Sequence, residues 1–228
     1  VCALAGAVKA GVASDLLTMT GGSLVKLIWV RYPWCDSAFN PVQAYRSKDG
    51  GNEGPFTQLM AFDTDQGTER YLDPQIGYHR VPRFTRKNGD YVIWSDSANG
   101  CAWIRDFAGN APKRKLLEGG DYTEVHCRYD FATGKEYVYT LSADGLRLSM
   151  LPLKADYTVD ISQRTIAYTA SVKMKTVLGI SADGRYLGTL SPWPNTMIID
   201  MTTGQKHDRH LNEAFGCQPN LAPDNSYR

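Results

Sequence analysis

Four segments of the chain repeat a single pattern: a short polar–apolar strand, a tight corner built on Gly or Asn, then a strongly apolar strand. The first is Pro82-Arg83-Phe84-Thr85-Arg86-Lys87-Asn88-Gly89-Asp90-Tyr91-Val92-Ile93-Trp94, and the second is Arg128-Tyr129-Asp130-Phe131-Ala132-Thr133-Gly134-Lys135-Glu136-Tyr137-Val138-Tyr139. The third is Leu178-Gly179-Ile180-Ser181-Ala182-Asp183-Gly184-Arg185-Tyr186-Leu187-Gly188, and the last runs from Pro219 to Arg228. The corner residues Gly89, Gly134, Gly184 and Asn225 stand 45, 50 and 41 positions apart by subtraction of their numbers. Each corner needs a positive φ, which Gly and Asn supply with least steric penalty. A period of about 40 to 50 residues is that of a four-stranded sheet repeated around an axis, a propeller blade.

A second series of corners runs in step with the first. Thr64-Asp65-Gln66-Gly67, Phe107-Ala108-Gly109-Asn110 and Thr202-Thr203-Gly204-Gln205 each close another strand. Gly89 to Gly109 and Gly184 to Gly204 are both 20 residues, so one hairpin corner predicts the next within a unit. The chain therefore reads as all-β, a propeller of four-stranded antiparallel blades. Blade one spans about 23–72, with an insertion from Tyr32 to Phe56; the next blades span about 78–119, 122–168 and 172–212. A fifth begins at 215–228 and stops where its second strand should start, so a piece of a longer chain is expected. In the rival reading, Leu16 to Trp29 supplies missing strands and closes a small ring. Residues 1–22 form an N-terminal segment, either a closing strand or helix or, from the small apolar run Val1 to Ala13, the end of a secretory signal. The latter points to a secreted or periplasmic protein.

Composition narrows function mainly by exclusion. Lys+Arg number 25 against 24 Asp+Glu, giving a net charge of +1, so no global field attracts nucleic acid or an anionic membrane. No apolar run approaches the ~20 residues of a membrane span. Five cysteines, at 2, 35, 101, 127 and 217, have no Cys-x-x-Cys spacing and fit either one or two disulfides or buried thiols. Neither a Gly-rich phosphate loop nor a Gly-x-Ser-x-Gly nucleophile elbow is present, and no cofactor or metal is expected.

Phe84 to Asp96, Ile180 to Leu187 and Leu221 to Tyr227 resemble the TolB-type, WD40-like "PD40" repeat, roughly aromatic-Ser-Pro-Asp-Gly-Lys-x-apolar-x-aromatic. The resemblance covers about residues 78–228 and departs from the pattern at Ala132-Thr133-Gly134. It implies a fold rather than an activity. Propellers of this kind occur in periplasmic and secreted binding proteins, in prolyl-oligopeptidase-like enzymes and in some polysaccharide lyases.

In a propeller the innermost strand of each blade lines the axis. That expectation places His79 and Arg80, Glu124, His126 and Arg128, Lys173 and Lys175, and Gln218 near one axial mouth. Glu124 and His126 are two apart on a strand and share a face. With His79 they form the candidate acid–base set. Equally, they are the polar lining any narrow channel carries. Arg80, Arg128, Lys173 and Gln218 are candidate ligand contacts. Trp34 and Trp193, with Tyr45, lie beside or near prolines and could stack on sugar rings or fill gaps between blades. His207 and His210 read as surface residues. These features favour a non-catalytic binding module recognising a glycan or a protein on its loop face. The alternatives are a polysaccharide lyase or hydrolase using the His/Glu set, and a self-assembling repeat protein that forms homo-oligomers through an open edge.

Overall fold

A computed structural model describes residues 12–31, 58–73, 82–96, 99–120, 124–174, 177–190 and 196–209. Its order begins with a helix over residues 12–19 that ends at Gly21-Gly22, where the Gly22 amide returns to the Leu17 carbonyl at 2.7 Å. Leu16 therefore belongs to a helix and not to a ring-closing strand. Ala13, Leu16, Leu17 and Met19 favour that state locally.

Four antiparallel sheets follow in chain order. The first holds β1 (Lys26–Arg31), β2 (Gln58–Asp63) and β3 (Arg70–Asp73). The second holds β4 (Arg83–Phe84), β5 (Tyr91–Asp96), β6 (Cys101–Asp106) and β7 (Arg114–Leu117). The third holds β8 (Glu124–Asp130), β9 (Lys135–Leu141), β10 (Arg147–Leu153) and β11 (Thr165–Thr169). The fourth holds β12 (Val177–Ile180), β13 (Tyr186–Leu190), β14 (Thr196–Asp200) and β15 (Lys206–Arg209). In every sheet each strand pairs with its sequence neighbour, so each is a meander. Three sheets have four strands and the first has three among the described residues. These are propeller blades.

The corners are where the repeat puts them. Gly89, Gly134 and Gly184 join first to second strands with φ of 64°, 67° and 75°. Gly67, Gly109 and Gly204 join the last two strands of their sheets with φ of 61°, 78° and 73°. In a meander these two sets of corners lie at the same rim. The third sheet departs from its neighbours. Its first corner is Asp130-Phe131-Ala132-Thr133-Gly134, and a Ser142-Ala143-Asp144-Gly145 corner follows one strand later. There the Ser142 hydroxyl accepts from the Arg147 amide at 3.0 Å, as the Ser181 hydroxyl accepts from the Tyr186 amide at 2.9 Å in the fourth sheet.

The apolar residues sit between the sheets. Leu59, Ala61 and Leu72 meet Val92, Trp94 and Phe107 across the first seam. Ile93, Ile104 and Leu117 meet Val125, Cys127 and Val138 across the second. Tyr139, Leu141 and Leu148 meet Ile180, Leu187 and Ile199 across the third. Each fully buried aliphatic side chain contributes about 1.5–3 kcal/mol by leaving water. The seams are also stitched by cations reaching backbone carbonyls of the next sheet. Lys26 reaches the Gly89 carbonyl at 3.2 Å, and Arg70 the Phe107 carbonyl at 2.9 Å. Arg114 reaches the Tyr157 carbonyl at 2.7 Å, and Arg128 the Ala182 carbonyl at 2.6 Å.

Among the described residues no helix is long and apolar enough to cross a membrane. Cys101 and Cys127 are free, buried thiols.

Candidate functional site

β8 carries the axial candidates. Glu124, Cys127 and Arg128 are buried on it, and His126 is 2% exposed. Val125 and Cys127 face the second blade, while Glu124, His126 and Arg128 pair across the strand with Leu141, Tyr139 and Tyr137. Among the described residues neither ring nitrogen of His126 has a hydrogen-bond partner. Burial drives its pKa well below the ordinary imidazole value, and the guanidinium groups of Arg83 and Arg86 push it the same way. Arg83 is itself held below its usual value by burial, with Glu124 opposing that shift. His126 is thus a neutral imidazole inside the body. Burial likewise pushes the Cys127 thiol far up, which removes it as a nucleophile.

Arg128 has a structural partnership. Its Nε donates to the Ala182 carbonyl, its NH2 group pairs with Asp130 at 3.3 Å, and its plane lies near the Tyr137 ring at 5.5 Å. The guanidinium rests directly on Gly184. Lys173 is exposed and packs on the Gly145 corner. His207 is exposed on β15. His79, Arg80, Lys175, Gln218, Trp34, Trp193, Tyr45 and His210 lie outside the described residues, as do 1–11 and 210–228. Among the described residues no three His, Cys, Asp or Glu side chains converge as a metal centre requires.

A cleft of about 560 Å³ opens elsewhere, between the first and second blades at the corner rim. That volume falls inside the range of ligand pockets, roughly 300–1,000 Å³. Its walls come from the start of β1 and from three corners: Asp63 to Gln66, Asp90 with Tyr91, and Asp106 to Asn110. The corners need those aspartates for local reasons. Asp63 accepts from the Gln66 amide at 2.6 Å, and Asp106 accepts from the Asn110 and Ala111 amides at 2.8 and 3.0 Å. Two cations enter the cleft already matched. Lys26 pairs with Asp90 at 3.2 Å and Arg70 with Asp63 at 2.7 Å, and both approach the Phe107 ring, at 5.3 and 4.5 Å. Asp65 and Asp106 carry no ion pair among the described residues. The cleft therefore offers acceptors, donors and an aromatic side chain together.

Sequence reasoning gave no hint of this cleft. Its walls span positions 24 to 110, and the residues are ordinary corner-formers one at a time. The Asp that precedes Gly67 and Gly109, Asp63 and Asp106, was the available signal.

No protein-family model matches the sequence, and no curated protein matches it. Solved structures do. A nidogen/laminin complex is 14% identical over 72% of this chain and 60% of that one, with a TM-score of 0.49. TolB from Acinetobacter baumannii is 11% identical over 73% of this chain and 41% of its own, with a TM-score of 0.46. An oligogalacturonate lyase from Vibrio parahaemolyticus is 9% identical over 86% and 52%, with a TM-score of 0.45. The chain thus spans about half the length of the structures it matches, between 41% and 60% in these three. At such identities no side-chain role passes from them to this chain.

Proposed function

We propose that this chain is a propeller binding module and that its ligand occupies the rim cleft between the first two blades. The observation that carries the reading is the cleft itself: about 560 Å³ at the corner rim, with Asp65 and Asp106 outside any described ion pair. Loops and corners on a rigid scaffold are where propellers can vary contacts without disturbing the core. Of the His/Glu alternative, Glu124 and His126 are both buried, whereas the cleft is open. A secreted or periplasmic site of action remains the companion reading, and it rests on the small apolar residues from Val1 to Ala13.

The test is a binding screen on the folded chain, with glycan and peptide panels read in parallel against Asp65→Ala. Asp65 is an exposed corner residue, so its removal leaves the fold intact. A ligand retained by the wild type and weakened about fivefold or more by Asp65→Ala supports the cleft. Ligands that bind both proteins equally place recognition elsewhere.

A further inference from the structure

The first corner of the third blade carries an aromatic ring that its own hairpin does not use. The Gly134 amide returns to the Asp130 carbonyl at 2.8 Å, as the Gly89 amide returns to the Thr85 carbonyl at 3.1 Å in the second blade. Phe131 therefore stands where Arg86 stands one blade earlier. Asp130 accepts from the Ala132 and Thr133 amides at 3.0 and 3.4 Å, so the corner closes on its own carboxylate. The Phe131 side chain takes no part in that closure and stays 73% exposed, the most exposed aromatic residue among those described. A single apolar residue on a surface means little by itself. This ring has company, because it stands edge-on to Tyr129 with centroids 5.0 Å apart and planes at 86°.

The groups around that pair are cations. Tyr129 lies opposite Glu136 across the strands, and Asp130 lies opposite Lys135. Glu136 accepts a hydrogen bond from the Arg86 amide of the second blade. Burial raises the Glu136 carboxyl, and its bonds to the Arg86 and Lys87 amides pull the other way. That contact brings the Arg86-Lys87 corner beside the strand that carries Tyr129. Arg86, Lys87 and Lys135 are exposed and enter no ion pair among the described residues. The nearest acids are already committed, Glu136 to the amides and Asp130 to Arg128 and its own corner. Unmatched positive charge thus surrounds an exposed apolar ring.

Charge and apolarity together select the partner. An acidic peptide supplies spaced carboxylates for the cations and an apolar side chain to cover the ring, the mixture that protein interfaces concentrate. A nucleic-acid strand fits less well. Its regular phosphates would also run past Asp90 and Asp130 on the same rim, and a net charge of +1 supplies no wider field to hold them. A neutral glycan would leave the cations without a counter-charge.

We propose that this corner is a docking surface for an acidic peptide segment, with Phe131 as the apolar anchor and Arg86, Lys87 and Lys135 holding the carboxylates. It is a second surface, separate from the cleft between the first two blades, and does not depend on what that cleft binds.

The experiment pans a displayed library of random linear peptides on the full chain, after depletion on a Phe131→Ser chain. The enriched sequences carry acidic residues around an aromatic or aliphatic one. A fluorescein-labelled peptide of the consensus is then titrated into wild type, Phe131→Ala, Lys87→Glu, Lys135→Ala and Asp65→Ala, each with its melting temperature measured. Phe131→Ala weakens binding about tenfold and Lys87→Glu about as much, at unchanged melting temperature, since both side chains are exposed. Lys135→Ala weakens it about threefold, and added salt shrinks both lysine effects. Asp65→Ala leaves the affinity alone. Failure to enrich any peptide over the Phe131→Ser chain overturns the surface, as does a consensus without acidic residues. Peptide binding lost in Asp65→Ala but kept in Phe131→Ala moves recognition to the cleft and overturns this surface only. Phe131-dependent binding of oligothymidylate without acidic-peptide enrichment overturns the partner class in favour of a nucleic acid. Phe131-dependent dimerisation of the chain in sedimentation overturns it in favour of a second copy.

Discussion

The seam between blades one and two and the seam between blades three and four are built from the same parts and end differently. Both pack apolar strands across a buried core, and both send a cation from the earlier blade to a corner carbonyl of the later one. Between blades three and four that cation is Arg128, buried, lying flat on Gly184 and filling the rim. The other rim is filled too, where the Gly145 corner abuts the Met174 carbonyl and bonds the Met174 amide at 2.8 Å. Between blades one and two, Lys26 and Arg70 sit at the side of the gap, held by Asp90 and Asp63, and the rim stays open. One long side chain entering a gap makes it mortar. Two shorter ion pairs along its walls make it a cleft.

The largest test of that contrast is Gly145→Ala. The new Cβ would be driven into the Met174 carbonyl at a φ of 71°, and a loss of about 4 kcal/mol is expected in urea unfolding. Gly184→Ala comes next, at about 3 kcal/mol, because its Cβ would stand 2.8 Å from Arg128 Cζ and must push the guanidinium off the Ala182 carbonyl. Gly109→Ala at the cleft rim has the same backbone demand but nothing nearer than 3.8 Å, so about 1 kcal/mol is expected. Equal losses at Gly184 and Gly109 would dissolve the distinction between a filled seam and an open one.

His126 sharpens the comparison on the axial side. Its folded pKa lies below that of the free imidazole, so the unfolded chain takes up a proton that the folded chain refuses. The stability it permits is complete above about pH 6.5 and declines as pH falls from there toward the folded value. His126→Leu removes two unsatisfied ring nitrogens, so it should raise stability by about 1 kcal/mol at neutral pH and flatten the decline below pH 6.5 in melting curves. Destabilisation instead would mean that His126 serves a bound partner. The smallest effect belongs to the cleft itself. Asp65→Ala should change stability by no more than about 0.5 kcal/mol, because an exposed corner carboxylate outside any ion pair among the described residues supports no packing.

The blade architecture was open to reading because it is local. A corner that needs positive φ selects Gly wherever it falls, so Gly67, Gly89, Gly109, Gly134, Gly184 and Gly204 announced their own geometry. Ser142 to Gly145 repeats Ser181 to Gly184 residue for residue and was equally legible, but the third sheet uses it one strand later, at a corner the repeat did not assign. Arg128 shows the opposite limit. A charged residue on an inner strand reads as a ligand contact until the neighbouring blade brings the Ala182 carbonyl to it.

Strand period, corner chemistry and blade order were therefore set by the linear pattern, since each depends on φ and on side chains a few positions apart. Which seam closes and which stays open was decided only in three dimensions. The groups that fill or line a seam are contributed by different blades, tens of residues apart, and meet only when the sheets stack. Tyr157 belongs to that second kind. Nothing in its own hairpin calls for an aromatic ring at φ 58°, and only the stack on Tyr91 from the preceding blade gives the ring a partner.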